Sequence, residues 1–144
     1  MTTTLDANVL LYAANADDPR NERANEVLAD LAAGPAALYL FWPVAMAFMR
    51  IATRQGLFPN PLSPASARSM LDELLRREHV LAPGEDDLFW EAFQELAEEQ
   101  PLRGDLVSDA HIVALMRRHG VRTIITHDRD FLRFEGIKVL DPFT

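Results

Sequence analysis

The chain has 144 residues, 49% apolar and 25% charged, a balance that suits a single soluble domain over 1–144 and argues against a disordered chain. No run approaches the roughly 18 charge-free apolar residues of a membrane helix, and the absence of cysteine excludes disulfides and thiolate metal sites. Fourteen Lys and Arg against 22 Asp and Glu leave a net charge of -8, which argues against broad electrostatic binding of nucleic acid.

Nucleic acid as a substrate is still compatible with that charge, because bound divalent cations reverse the local field wherever carboxylates gather. The charge also leaves room for a basic protein partner. No basic leader opens the chain, and Asp6 and Asn8 interrupt its first apolar run, so no secretion signal is expected and a cytoplasmic location is.

In chain order, Thr2 to Leu5 is β-prone and leads directly into Asp6, and Val9 to Ala14 reads as a short helix or turn. Asn21 to Ala33 is a helix with Ala24, Val27, Leu28 and Leu31 on one side, stopped by Gly34-Pro35. Leu38 to Phe41 suits a strand. Pro43 starts a helix that carries Val44, Phe48 and Ile51 and ends near Gly56. Ser63 as N-cap and Pro64 as first helical residue open the next helix, which reaches about Glu78 before a short strand at Val80-Leu81. Beyond Pro83-Gly84, residues Asp86 to Glu98 repeat apolar side chains at helical spacing. Gly104-Asp105 opens a helix to His119, Thr123 to Thr126 is a buried-type strand, His127 to Asp130 a loop, and Ile137 to Leu140 the last strand. Strands alternating with longer helices predict an α/β domain with a mostly parallel sheet and helices on both faces.

The placement of the acids is informative. Asp6, Asp128 and Asp130 follow predicted strands, and the crevice beyond strand C-termini is where open parallel sheets bind ligands. Asp109 shares a helix face with Ile112, Val113 and Met116, and an unpaired carboxylate turned inward is expensive unless a cation meets it. Each acid also has a plain reading: a turn or helix start for Asp6, loop and cap residues for Asp128 and Asp130, an Arg-paired helix acid for Asp109. Asp105, one turn before Asp109, is either an N-cap or an extension of the cluster.

Asn8 either bonds within the Asp6 turn or orients a metal-associated water, and Thr126 either caps the acidic loop or donates to phosphate. Arg50, Arg54, Arg129 and Arg133 are phosphate contacts or solvated ion-pair partners. His111 and His127 lack metal-ligand spacing and read as satisfied histidines. Trp42, Trp90 and the eight Phe supply core volume. The helices around Phe41 to Ile51 and Ala65 to Leu75 either pack on the sheet or offer a surface to a second copy or a protein partner.

Four ordered pieces resemble the PIN-domain family, in particular the VapC toxins of bacterial toxin–antitoxin pairs. They are Leu5-Asp6-Ala7-Asn8-Val9-Leu10-Leu11-Tyr12; Phe41-Trp42-Pro43-Val44 leading to Phe48-Met49-Arg50-Ile51-Ala52-Thr53; Gly104-Asp105-Leu106-Val107-Ser108-Asp109-Ala110-His111; and Thr126-His127-Asp128-Arg129-Asp130-Phe131. The resemblance implies a PIN-like three-layer α/β/α fold and a Mg²⁺-dependent endoribonuclease, with Mn²⁺ as substitute, that cuts tRNA, rRNA or mRNA. It also implies a homodimer, held inactive by a cognate antitoxin. By position, Asp6 matches the first family acid, Asp109 the helix acid, and Asp128 with Asp130 the late pair. The mechanism that follows places the principal ion on Asp6 and Asp109, with Asp128 or Asp130 serving a second.

One position departs from the family. Where many PIN domains carry a glutamate before the Phe and Arg of the third helix, this chain has Ala47. The loss bears on a second metal position, which Asp105 or a water would have to fill. It also keeps open a catalytically degenerate module that binds RNA or antitoxin. A Rossmann-like phosphatase ranks lower, because the sole lysine, Lys138, lies near the far end.

Overall fold

A computed structural model describes all 144 residues. Strands β1 (Thr3–Leu5), β2 (Leu38–Tyr39), β3 (Val80–Leu81), β4 (Thr123–Ile125) and β5 (Lys138–Leu140) form one sheet in the order β3-β2-β1-β4-β5. Every pairing is parallel. The register between the central strands sets Thr3 against Thr123, Thr4 against Ile124 and Leu5 against Ile125. Parallel strands need crossovers, and the helices that supply them cover both faces, giving a three-layer α/β/α architecture. The helices are α1 (Ala7–Ala14), α2 (Asn21–Ala33), α3 (Trp42–Ala52), α4 (Pro64–Leu75), α5 (Phe89–Glu99) and α6 (Asp105–Arg118).

From β1 the chain moves outward to β2 and β3, then returns to the other side of β1 to lay down β4 and β5. The order therefore reverses between β1 and β4. At such a switch point the connections leave in opposite directions and open a crevice beyond the strand C-termini. Asp6 and Thr126 are the first residues past those two ends.

Local chemistry sets the element boundaries. Helix α1 starts two residues before Val9 because Asp6 caps it, its Oδ1 accepting from the Ala7 N–H at 2.7 Å. Ser63 caps α4 as expected, accepting from the Ser66 N–H at 3.1 Å. Helix α5 begins at Phe89 rather than Asp86, because the Asp86 carboxylate accepts from the Leu88 N–H and holds that segment as a turn. Gly104 takes the N-cap of α6 with φ 58°, so Asp105 is the first helical residue and not the cap. Its exposed carboxylate sits at the positive end of the helix dipole. The expected loop from His127 contains a 3₁₀ turn, Arg129–Arg133, pinned by the buried Phe131.

The core joins Leu5, Val9 and Leu10 to Leu38, Leu40, Phe41, Phe48, Ile124 and Phe131, all fully buried. The two tryptophans do not belong to it, contrary to the size-based expectation. Trp42 is 40% exposed, its indole N–H donating to the Ala82 carbonyl, and Trp90 is 61% exposed and stacked on Phe93. No helix is long and apolar enough to cross a membrane.

Phe48 on α3 has no exposed surface, so Phe48→Ala should destabilise the fold by about 3–5 kcal/mol. Urea unfolding should show a lower midpoint with an unchanged slope.

Candidate metal centre

Thr126 organises the crevice. It is fully buried, and its hydroxyl donates to Asp6 Oδ2 at 3.0 Å. The same oxygen accepts from the Asp128 N–H at 2.9 Å and from Asn8 Nδ2 at 3.1 Å. One proton and two lone pairs are thereby all in use. Since the single hydroxyl proton goes to Asp6, Asn8 has to present its NH₂ to Thr126. Asn8 Oδ1 is left buried without a hydrogen-bond partner. An unpartnered buried acceptor is costly, and a water or cation-associated donor would satisfy it. Thr126 thus accepts from the first peptide of the acidic loop, and Asn8 donates to Thr126 while its own acceptor stays free.

Three carboxylates converge in front of this hub. One oxygen from each of Asp109, Asp128 and Asp130 lies within 4.8 Å of the others. Asp128 Oδ1 accepts from the Asp130 N–H at 2.9 Å, which caps the 3₁₀ turn and sets the spacing of the late pair. Asp109 arrives from the second turn of α6. Its carboxyl is pushed up to about 7, first by burial and then by the charges of Asp128, Asp6, Asp130 and Asp105. Asp6 is fastened to Ala7 and Thr126 and lines the same cavity as Asp109. Burial raises its carboxyl above the usual range despite those two hydrogen bonds, and Asp128 adds to the shift.

These donors fit a hard divalent cation. They are all oxygens, they repel one another, and no Arg or Lys neutralises the trio at close range: Arg133 reaches Asp130 only at 3.9 Å, on the exposed side. Asp109 groups with Asp128 and Asp130, and it also lines one cavity with Asp6, whose charge adds to its shift. Asp105 contributes repulsion to Asp109 and lies outside the trio.

A cavity of about 320 Å³ adjoins the trio between α3 and α6, lined by Asp6, Ala47, Arg50, Ser108 and Asp109 among others. Ala47 faces it, confirming that α3 brings no carboxylate. Arg50 borders this cavity, while Arg54 and Arg129 are exposed and unpaired.

His111 Nε2 lies 2.7 Å from Glu85, and His127 Nδ1 lies 2.9 Å from Asp141, so both histidines have carboxylate partners. The Asp141 contact escaped sequence reading. With Tyr12 and Phe143 packed edge-on around His127, it braces the residue next to Asp128. No local motif announces Asp141; only the sheet brings the segment after β5 back to the acidic loop.

The sequence profile described as PIN domain matches residues 3–137. The chain is 42% identical to the ribonuclease VapC48 of Mycobacterium tuberculosis over 144 residues, which is 100% of this chain and 99% of that relative. It is 31% identical to the ribonuclease VapC37 of the same organism, over 96% of this chain and 95% of that one. Among solved structures, the sarcin-ricin loop cleaving toxin VapC20 of Mycobacterium tuberculosis superposes with TM-score 0.65 at 21% identity, covering 90% of this chain and 92% of that one. A toxin–antitoxin complex from Klebsiella pneumoniae gives 0.62 at 18% identity, covering 98% of each chain. At such identities the superpositions show a shared fold.

Two measurements probe the centre in metal-free protein. Folded Asp109 holds its proton to about pH 7, whereas the unfolded carboxyl titrates near 3.8. Between those values the folded state binds more protons, so this group makes stability fall as pH rises from about 4 to about 7. In EDTA, Asp109→Asn should melt above the wild type at pH 8, with the gap closing below pH 4; a pH-independent gap would contradict the charge crowding. Thr126→Val keeps the shape and removes three hydrogen bonds. It should cost about 1–3 kcal/mol in chemical denaturation, with Thr126→Ser recovering most of the loss.

Proposed function

The chain belongs to the PIN-domain family and, within it, to the VapC toxins of toxin–antitoxin pairs; on that premise we propose that it is a metal-dependent endoribonuclease. The observation that carries the reading is the convergence of Asp109, Asp128 and Asp130 at the switch point of the sheet, with Asp6 fixed at the end of β1 on the cavity that Asp109 also lines. Four carboxylates so placed have little value for stability. Their arrangement suits the hydrolysis of a phosphodiester, where negative charge has to be brought to negative charge.

Mg²⁺, or Mn²⁺ in its place, would be held by Asp6, Asp109, Asp128 and Asp130 and would supply Lewis acidity and positive charge beside the phosphate. The residues of the chain perform the remaining tasks. Asp109 holds its proton to about pH 7 and would have to be ionised to hold a cation, so cation affinity should rise with pH through that range. Asp6 is held by the Ala7 N–H and the Thr126 hydroxyl, which fix its carboxylate in one position at the end of β1. Asn8 Oδ1 offers a buried acceptor that can align an attacking water. Arg50, Arg54, Arg129 and Arg133 are the cations available to the RNA backbone. The family premise also supplies the regulator, a cognate antitoxin, and a homodimeric assembly. The substrate is drawn from tRNA, rRNA or mRNA.

Ala47 favours a second reading, a degenerate module that binds RNA or antitoxin without cutting. The two readings separate in an end-mapped digest of total RNA by antitoxin-free protein, with and without Mg²⁺ or Mn²⁺. The nuclease should make discrete, metal-dependent cuts that leave 3′-hydroxyl and 5′-phosphate ends. Asp6→Asn and Asp109→Asn should each lower the rate by more than the roughly 10–100-fold typical of outer partners of a metal site. Ends bearing a 2′,3′-cyclic phosphate would refute attack by water, and a digest with no cuts from metal-loaded, folded protein would favour the binding module.

A further inference from the structure

The cavity between α3 and α6 is built asymmetrically. Asp6 and Asp109 form one wall, and Asp109 also belongs to the carboxylate trio, so the cavity opens directly beside the proposed cation. The α3 wall is lined by Ala47 and, three residues on, by Arg50. Arg50 makes no ion pair, although two carboxylates line the same cavity; Arg20, Arg117 and Arg118 all pair with nearby acids. Its charge therefore borders an aqueous space of about 320 Å³ without being neutralised by the protein.

A positive charge on the α3 wall, with Ala47 beside it in place of a carboxylate, disfavours a second divalent cation there. A cation on the neighbouring trio would offset the charges of Asp6 and Asp109, and the Arg50 charge then favours an anion. A guanidinium presents parallel N–H donors that match two phosphate oxygens, and Ser108 of α6 also lines the cavity.

We infer that this cavity is a phosphate subsite: Arg50 grips a backbone phosphate of the RNA, in the space left by Ala47, and the centre holds one divalent cation per chain. The inference rests on the nuclease reading for the identity of its ligand and deepens that reading by naming what fills the cavity. Arg50 is a substrate-binding residue in this scheme. It sets where the strand lies relative to the trio and supplies from α3 a positive charge where a second cation would otherwise stand.

Two readouts that do not depend on cleavage test it. The first is Mn²⁺ titration of metal-free protein, followed by electron paramagnetic resonance. One ion per chain is expected, and Ala47→Glu should add a second; two ions per chain in the wild type would overturn the inference. The second is binding of a short fluorescent RNA with Ca²⁺ as the cation, across a salt series. Arg50→Ala should weaken binding roughly 10–100-fold and reduce the slope of log affinity against log salt by about 0.7, the loss of one phosphate contact to a single strand. Arg50→Lys should retain the slope and recover only part of the affinity. Arg50 is exposed, so these variants should fold, which thermal melting checks. Unchanged affinity and slope in Arg50→Ala would overturn the subsite. The outcomes also separate the two proposals. Metal-dependent cutting with no effect of Arg50→Ala on binding sinks the subsite alone. One bound ion and Arg50-dependent binding without cutting sinks the nuclease reading alone.

Discussion

Strands β1 and β4, more than a hundred residues apart in the chain, lie side by side and in register, and one buried hydroxyl ties their ends together. The rest of the molecule depends on this junction. It defines the reversal of strand order, it brings Asp6 beside Thr126, and through the Thr126 oxygen it fixes the first peptide of the acidic loop. Because a hydroxyl has one proton to give, the junction also orients the Asn8 amide without any further contact. A single side chain thus links sheet topology, helix capping and the direction in which a buried acceptor faces.

Electrostatics runs against folding at this place. Asp6 and Asp109 are both held away from their ordinary ionisation, chiefly by burial, and each is further disfavoured by its acidic neighbours. A sheet and helix scaffold with fully buried Leu, Ile and Phe side chains tolerates that cost. Such local cost at the mouth of an otherwise apolar core is what a site built to receive positive charge looks like. The overall charge of -8 has less bearing, because the field at the crevice comes from a few carboxylates at close range.

Much of this was legible in the chain itself. Apolar periodicity located the helices, and the strands followed from short β-branched runs. The Asp6, Asp109 and Asp128-Asp130 positions were legible because they punctuate those patterns at strand ends and on an apolar helix face. Distances were less accessible. Nothing local says that Asp109 comes within reach of Asp128 and Asp130, since that depends on sheet register and on a five-residue 3₁₀ turn too short to show a period. Gly104 and Asp105 are both plausible helix starts, and only a positive φ distinguishes them. Trp42 and Trp90 were read by bulk, yet each stands on the outer side of its helix. Asp141 became relevant only once β5 lay against β4.

The span between the two halves of the junction has a consequence for how the protein comes into being. Asp6 and Thr126 are 120 positions apart, a gap that takes roughly 6–24 s to synthesise at ordinary elongation rates. Throughout that interval the first acid has no hydroxyl to hold it and no neighbours with which to share a cation. Long-range parallel pairing is also among the slower events in folding. A ribosome that stalls anywhere before β4 therefore releases a fragment without an assembled acidic centre. The sheet order acts as a built-in delay, holding back assembly of the acidic centre until β4 has been made.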